Sequence, residues 1–419
     1  MSVTVGIDIG TTSVKAVAVD DDGTVVARTR VPHRIAVPAP DRLEHDANRA
    51  WRWGPRRALA GLHMRDVKAV SVVAMVPSLT AVNKNGVPQT PGLLYGDQRG
   101  AGAPSEIEGF ASWTLGEYPD ATGVWPAQAV ANHTLGGEAV MDMSAAGACW
   151  GLFGGAVDAE RIPRMAGMGE AVGTVKGSDA LLDAGGVDAV GEQLTAGAHH
   201  PGDVHVLLGT TLIVWAVIPE SREVTGLQTI PHLGVPGLTL IGGPSNAGGL
   251  FLNWVSSLLG RGRAIFHPDH VPVWLPYPRG ERSPLDDPDI RAELRGLDLT
   301  HGPAGLRRAA YEASGFVVRR LLELGDAYAG ARRIVATGGG TRDGEWVQAV
   351  ADATNLPVDV AAVPEGAALG AAWLARMAAG LETDMGGAAR WASTGRRVEP
   401  DPIWVEATAA RYQTFRALG

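Results

Sequence analysis

The sequence predicts an α/β protein built from two similar domains, and three observations carry that prediction. Val204–Val214 lies over Val5–Lys15 when the chain is compared with itself, so both halves open alike; self-similarity at this scale marks a duplicated domain. Residues 333–363 read as strand, glycine turn, helix and strand, with Gly338, Gly339 and Gly340 at the strand-to-helix crossing of a βαβ unit. With 419 residues, 45% of them hydrophobic and 19% charged, the chain can fill two cores, since domains average roughly 100–200 residues.

The same composition narrows the class. No uninterrupted apolar run reaches the length of a membrane span, and the apolar fraction argues against bulk disorder. A net charge of −9 with no basic block argues against nucleic acid as a partner. Cys149 is the single cysteine, so no internal disulfide forms, and the N-terminus enters a strand pattern at once; a cytoplasmic protein is expected.

Taken in order, Val3, Val5, Ile7 and Ile9 alternate, Gly10-Thr11-Thr12 interrupts, and residues 14–19 resume before Asp22-Gly23, which reads as strand, tight turn, strand. Residues 68–82 form one apolar, β-branched run, and Gly92–Tyr95 leads into Gly96-Asp97-Gln98-Arg99. The stretch 100–180 shows little periodicity and reads as irregular with short helices. A helix over 188–198 precedes the loop His199–Asp203, which places a boundary near 200 and gives domains 1–200 and 201–419. In the second half, 304–326 is a long helix with Leu306, Ala310, Ala313, Val317, Leu321 and Leu324 on one face. The βαβ unit follows as strand 333–337, helix 344–354 capped by Asp343, and strand 357–363.

The first turn carries chemistry. A strand ending in Asp8, followed by glycine and two hydroxyls, can set backbone N–H groups and the Thr11 and Thr12 hydroxyls around a phosphate while Asp8 holds a hydrated magnesium ion. The plain alternative is a hairpin with a surface aspartate. The second copy repeats Gly209-Thr210-Thr211 but has Leu207 opposite Asp8, so only the first carries a carboxylate. No Gly-x-x-x-x-Gly-Lys-Ser/Thr run exists to make a P-loop.

Together these pieces resemble a known family. Val5–Thr12 resembles the first phosphate motif of the actin, hexokinase and heat-shock chaperone superfamily, Leu208–Thr211 its second, and Thr337–Gly340 its adenosine motif. Within it the chain resembles the FGGY family of carbohydrate kinases, through residues 94–100, 275–284 with Gly280-Glu281-Arg282, and 338–346 with 365–372, in order along almost the whole chain. The resemblance implies two ribonuclease-H-like domains of the actin-like ATPase fold, with an interdomain cleft that closes on ATP, Mg2+ and a small sugar or polyol. It implies phosphate contacts from Gly10, Thr11, Thr12, Lys15, Gly209, Thr210 and Thr211, adenosine contacts from Gly338, Gly339 and Gly340, and magnesium at Asp8. Gly185-Gly186-Val187-Asp188 matches the family's Gly-Gly-x-Asp stretch, which makes Asp188 the catalytic base. A helix starting there would keep its carboxylate ionised, although a helix cap alone would also place an aspartate at this position. Met75, Val76, Asp97 and Arg99 join Asp188 on the substrate side.

The chain also departs from the pattern. Xylulose kinases show Gln-Met-His where this chain has Met75-Val76-Pro77, and a polar amide where Ala189 stands. It is shorter than most members. A xylulose kinase-like activity is therefore expected, with a kinase for a modified or less hydroxylated sugar, a catalytically silent sugar or nucleotide regulator, and a nucleotide-driven chaperone or filament protein as rivals. A homodimer stays open.

Overall fold

A computed structural model of the chain describes residues 2–155, 157–259 and 267–418. It divides into two compact units, Met1–Thr195 with Glu365–Trp391, and Ala196–Pro364 with Ala392–Gly419. The division at residue 200 differs from this in one respect: the segment Glu365–Trp391 returns to the first unit, because the helix Gly366–Ala378 packs against strands Val3–Ile9 and Val67–Ala74.

The main sheet of the first unit runs Ala171–Thr174, Leu181–Asp183, Val67–Ala74, Val3–Ile9, Ser13–Val19, Val25–Pro32, with Gly186–Val187 also pairing with Val67–Ala74. The hairpin strands are antiparallel, while Val67–Ala74 runs parallel to both Val3–Ile9 and Leu181–Asp183. The second unit repeats this plan. Thr239–Ser245, Leu212–Ile218 and Asp203–Leu208 are antiparallel neighbours, Arg333–Thr337 and Val358–Ala361 continue in parallel, and Thr394–Val398 closes antiparallel. The repeat is imperfect at its turn. Ile9 pairs with Val14 across Gly10–Ser13, whereas Leu208 pairs with Leu212 across only Gly209–Thr211.

Two other readings change, and the short helices expected within 100–180 take definite places. The run 68–82 is two strands, Val67–Ala74 and Ser78–Val82, which belong to different sheets. Residues 100–180 hold the helices Glu106–Glu117 and Ala127–Leu135. The helix Pro303–Leu324 is not apolar on one face alone, because Arg308 and Glu312 are also buried, in an ion pair with Asp352 and Arg411. Among the described residues no helix is long and apolar enough to cross a membrane.

Glycines let the helix Gly366–Ala378 approach closely. A methyl group on Gly6 would lie 1.8 Å from the Ala368 carbonyl oxygen, and one on Gly370 would lie 2.1 Å from that of Gly191. Gly191 is in the helix Asp188–Ala196, so this contact seats the helix that begins at Asp188. Alanine is the better helix former by about 1 kcal/mol, but a contact this short with backbone must push the helices apart, at a cost of about 1–3 kcal/mol or more. Gly370→Ala is therefore expected to lower the melting temperature by several degrees in a thermal denaturation scan. An unchanged or higher value would show that the two helices are not locked by this contact.

Candidate active site

The register of the first hairpin sets Asp8 directly across from Lys15. Asp8 is buried, and Lys15 donates from Nζ to its Oδ2 at 2.9 Å. Asp8 first, and burial in opposition, leave the Lys15 amine above its ordinary range. The Gly10 N–H closes the turn on the Ser13 carbonyl at 3.2 Å, and a methyl on Gly10 would lie 3.7 and 3.8 Å from the Asp8 carboxylate oxygens. Thr12 is exposed, while the Thr11 hydroxyl shares a hydrogen bond with Tyr95 Oη at 3.1 Å.

A histidine that sequence reasoning missed supports this turn. Trp51 Nε1 donates to His45 Nδ1 at 3.0 Å, so the ring proton sits on Nε2, which donates to the Thr11 carbonyl at 2.7 Å. Burial, and then the neighbouring His33, push the His45 imidazole down to about 3, so it stays neutral. Nothing in the spacing of His45 marks it, because its partners are distant in sequence.

Asp188 reaches the same region by topology. Gly186 and Val187 pair with Val73 and Ala74 on one edge of strand Val67–Ala74, and Asp8 and Ile9 pair with the same two residues on the other edge. Both carboxylates therefore leave the sheet at one end of that strand. Asp188 begins its helix, and the Ala189 N–H donates to its Oδ1 at 2.7 Å. The expectation that the helix start keeps it ionised is corrected: burial, then the Asp8 charge, push the Asp188 carboxyl up to about 7 against the opposing pull of the Ala189 N–H and Lys15.

Buried polar groups hold the strand before Asp188. Gln128 and Asn132 donate to the Ala184 carbonyl at 2.5 and 2.9 Å, and the Gly185 N–H donates to Asp183 at 2.9 Å. Gly185 has φ +93°, and a methyl there would lie 2.2 Å from the Val72 carbonyl oxygen. Ser144 donates to Asp142 at 2.6 Å and accepts from the Val187 N–H at 3.2 Å.

The residues expected on the substrate side are not brought together in one open surface. Met75 is 2% exposed and packs in the core of the first unit. Val76 lies with Val187, Ala189 and Val190 in an apolar cluster next to Asp188. Asp97 and Arg99 are buried and largely spent on each other: Arg99 donates from Nε and Nη2 to the two Asp97 oxygens at 2.9 and 2.6 Å, and from Nη2 to Glu44 at 2.5 Å. The Leu43 N–H takes a further place on Asp97, at 2.7 Å. The pair ties the Gly92–Leu94 strand end to the segment 43–44.

In the second unit, the Gly249 and Leu250 N–H groups donate to the Gly209 and Thr210 carbonyls at 2.8 and 3.1 Å. Gly248 is required here, since a methyl would lie 2.5 Å from the Leu212 nitrogen. The Gly280-Glu281-Arg282 stretch acts on this turn: Arg282 Nη2 donates to the Thr211 hydroxyl at 3.2 Å. Glu281 is buried, accepting from Ser245 at 2.6 Å and from the Asn246 N–H at 3.0 Å, and burial pushes its carboxyl up to about 7. Of the three glycines after Arg333–Thr337, two serve packing. Gly338 has φ +87°, and a methyl on Gly340 would lie 2.1 Å from the Trp346 ring. Gly339 alone is exposed. Thr337, just before them, shares a hydrogen bond with the buried His205 at 2.9 Å.

The donor set at Asp8 fits magnesium. Among the described residues no cluster of three or more His, Cys, Asp or Glu makes a self-contained metal site. Magnesium keeps most of its water and takes one or two carboxylates together with phosphate oxygens. Asp8 offers such a single carboxylate, with Lys15 on Oδ2.

Comparison with known proteins agrees with this architecture. A family model described as "FGGY family of carbohydrate kinases, N-terminal domain" matches residues 3–112, and its C-terminal counterpart matches residues 205–379. Asp188 lies between the two matched ranges. The xylulose kinase of Escherichia coli K12 is 26% identical over 478 residues, covering 99% of this chain and 98% of the relative. That of Streptomyces coelicolor is 30% identical over 444 residues, covering 92% and 90%. The solved xylulose kinase of Rhodospirillum rubrum superposes with a TM-score of 0.77 at 26% identity, covering 99% of this chain and 98% of that one.

Proposed function

The chain belongs to the FGGY family of carbohydrate kinases, and from that premise we propose that it transfers the γ-phosphoryl group of ATP to a hydroxyl of a small sugar or polyol of the pentulose size class. The observation that carries this reading is the pair of carboxylates, Asp8 and Asp188, at one end of strand Val67–Ala74. Phosphoryl transfer asks for position and charge more than for covalent help. Asp188 orients the attacking hydroxyl and accepts its proton, a task that suits a carboxyl pushed up to about 7. The Gly10–Thr12 turn, seated on His45 and Tyr95, offers N–H and hydroxyl groups to phosphate, and Lys15 adds a positive charge. Asp8 would hold a magnesium ion, whose charge offsets that of the phosphate oxygens. In the second unit, Gly209–Thr211 with Arg282 serves phosphate and Gly339 the adenosine. Asp97 and Arg99 act in the fold of the substrate side, since their polar atoms are mostly occupied. Met75 supports it from the core. A cytoplasmic setting, where ATP is supplied and buried Cys149 stays reduced, belongs to the same proposal.

D-xylulose is the first substrate to test, given the names of the relatives. A sugar with fewer hydroxyls or an apolar substituent is the second, because Val76 and Ala189 make the wall beside Asp188 apolar. An unpaired buried hydroxyl costs about 1–3 kcal/mol. Coupled ADP release across a panel of ketoses, polyols and deoxy sugars is expected to show sugar-dependent turnover, with kcat/KM of about 10⁴ M⁻¹s⁻¹ or more for the true substrate. Full efficiency on D-xylulose would remove the second substrate reading. No ADP release with any sugar would leave the silent regulator as the better account, and ADP release that no sugar stimulates would leave the nucleotide-driven chaperone or filament protein.

A further inference from the structure

Strand Val67–Ala74 has a second feature at its other end. There the first unit holds a cavity of about 710 Å³ whose wall includes Val67 and Val70, whereas Asp8 and Asp188 leave the sheet beside Val73 and Ala74. The volume falls within the roughly 300–1,000 Å³ of small-molecule pockets.

The lining is unbalanced in charge. Arg52, Arg56, Arg65 and Lys176 stand against Asp66 and Asp179. Among the described residues none of these six takes part in an ion pair. The Arg52 and Arg56 guanidinium groups lie 4.7 and 5.5 Å from the centre of the Trp53 ring, and Lys176 donates to the His133 carbonyl at 3.1 Å. These contacts place the cations without neutralising them. His133 on the wall responds to them: burial, then Lys176 and Arg52, hold its imidazole below the ordinary histidine range.

Cations gathered around a concavity raise the local concentration of anions, and guanidinium groups match phosphate oxygens in geometry. Inorganic phosphate alone would leave the rest of the cavity unused. Leu59, Met64 and Val67, half-buried on its wall, give it apolar surface, suited to a carbon skeleton or ring. We propose that this cavity binds a small phosphorylated organic anion, a sugar phosphate or a nucleotide, at a site separate from Asp8 and Asp188.

Calorimetric titration of the full chain with ribose 5-phosphate, ADP and inorganic phosphate tests this, alongside the double variant Arg56→Glu/Lys176→Glu. Both side chains are exposed, and neither belongs to the catalytic machinery, so sugar-dependent turnover is expected to stay unchanged. At least one organic anion is expected to bind with Kd of about 1 mM or tighter, and to weaken by at least ~10-fold in the variant. Loss of a ribose 5-phosphate isotherm assigns a sugar phosphate. Collapse of a two-site ADP isotherm to one site assigns a nucleotide. The milder Arg56→Gln/Lys176→Gln is expected to shift binding in the same direction by less. Binding of the organic anions that neither variant changes would belong to the catalytic site and overturn the proposal. So would inorganic phosphate binding as tightly as either organic anion, or no binding of any of the three.

Discussion

Asp188→Asn is expected to lower kcat by at least ~10²-fold, the scale of lost general-base catalysis, while ATP binding persists. The pH profile separates this from damage to the fold. With the Asp188 carboxyl pushed up to about 7, kcat/KM in the native enzyme should rise with pH below that value, about tenfold per unit, and level off above it. The variant has no such group, so its residual rate should lack that limb. Stability should move the other way. A carboxyl whose pKa is raised by folding costs the fold stability as pH rises from the ordinary carboxylate range, where the unfolded chain ionises, up to its folded value of about 7, and the loss is complete above it. Removing the charge is therefore expected to leave the melting temperature at pH 8 equal or higher. A variant that turns over at near-native rate would take Asp188 out of the mechanism. A variant that melts early would make the lost rate a folding effect.

The sequence held the sheet of each unit in plain view wherever pattern and pairing are local. The hairpin around Gly10–Thr12 and the unit 333–363 are built from neighbours in the chain, so alternation and glycine punctuation suffice to read them. The helix Glu106–Glu117 is also spaced for reading, since Ile107, Gly109, Phe110, Ala111 and Thr114 are its buried positions, but a glycine, an alanine and a threonine mask the apolar stripe. What pattern could not reach was long-range. Nothing local says that Gly370 is small because its helix packs on Gly191, or Gly6 because the same helix lies against strand Val3–Ile9 at Ala368, far along the chain. The same holds for the site. Asp8 and Asp188 could be singled out by motif, yet their convergence follows from two edges of one strand. Asp97 and Arg99 looked equally chemical, and only the fold shows that each has the other as its partner.

Asp8→Asn is expected to reduce kcat at saturating ATP by at least ~10²-fold, the scale set by removing a preorganised charge from a transferring group's surroundings, and to raise the magnesium concentration needed for half-maximal rate. A neutral amide binds a hydrated divalent ion more weakly than a carboxylate does. Two further consequences follow from the hairpin register and distinguish this role from a general loss of structure. Lys15 loses the partner 2.9 Å from its amine, so its pKa should fall, because burial is then opposed only by the weaker pull of Glu192 and Glu365. Asp188 loses the neighbouring negative charge that helps to raise it, so the acid limb of the residual activity should move to lower pH. A simple unfolding defect would lower the rate without moving that limb. If the limb stays near 7 and the magnesium requirement is unchanged, Asp8 serves only as the counter-ion of Lys15, and the metal must be placed by other groups.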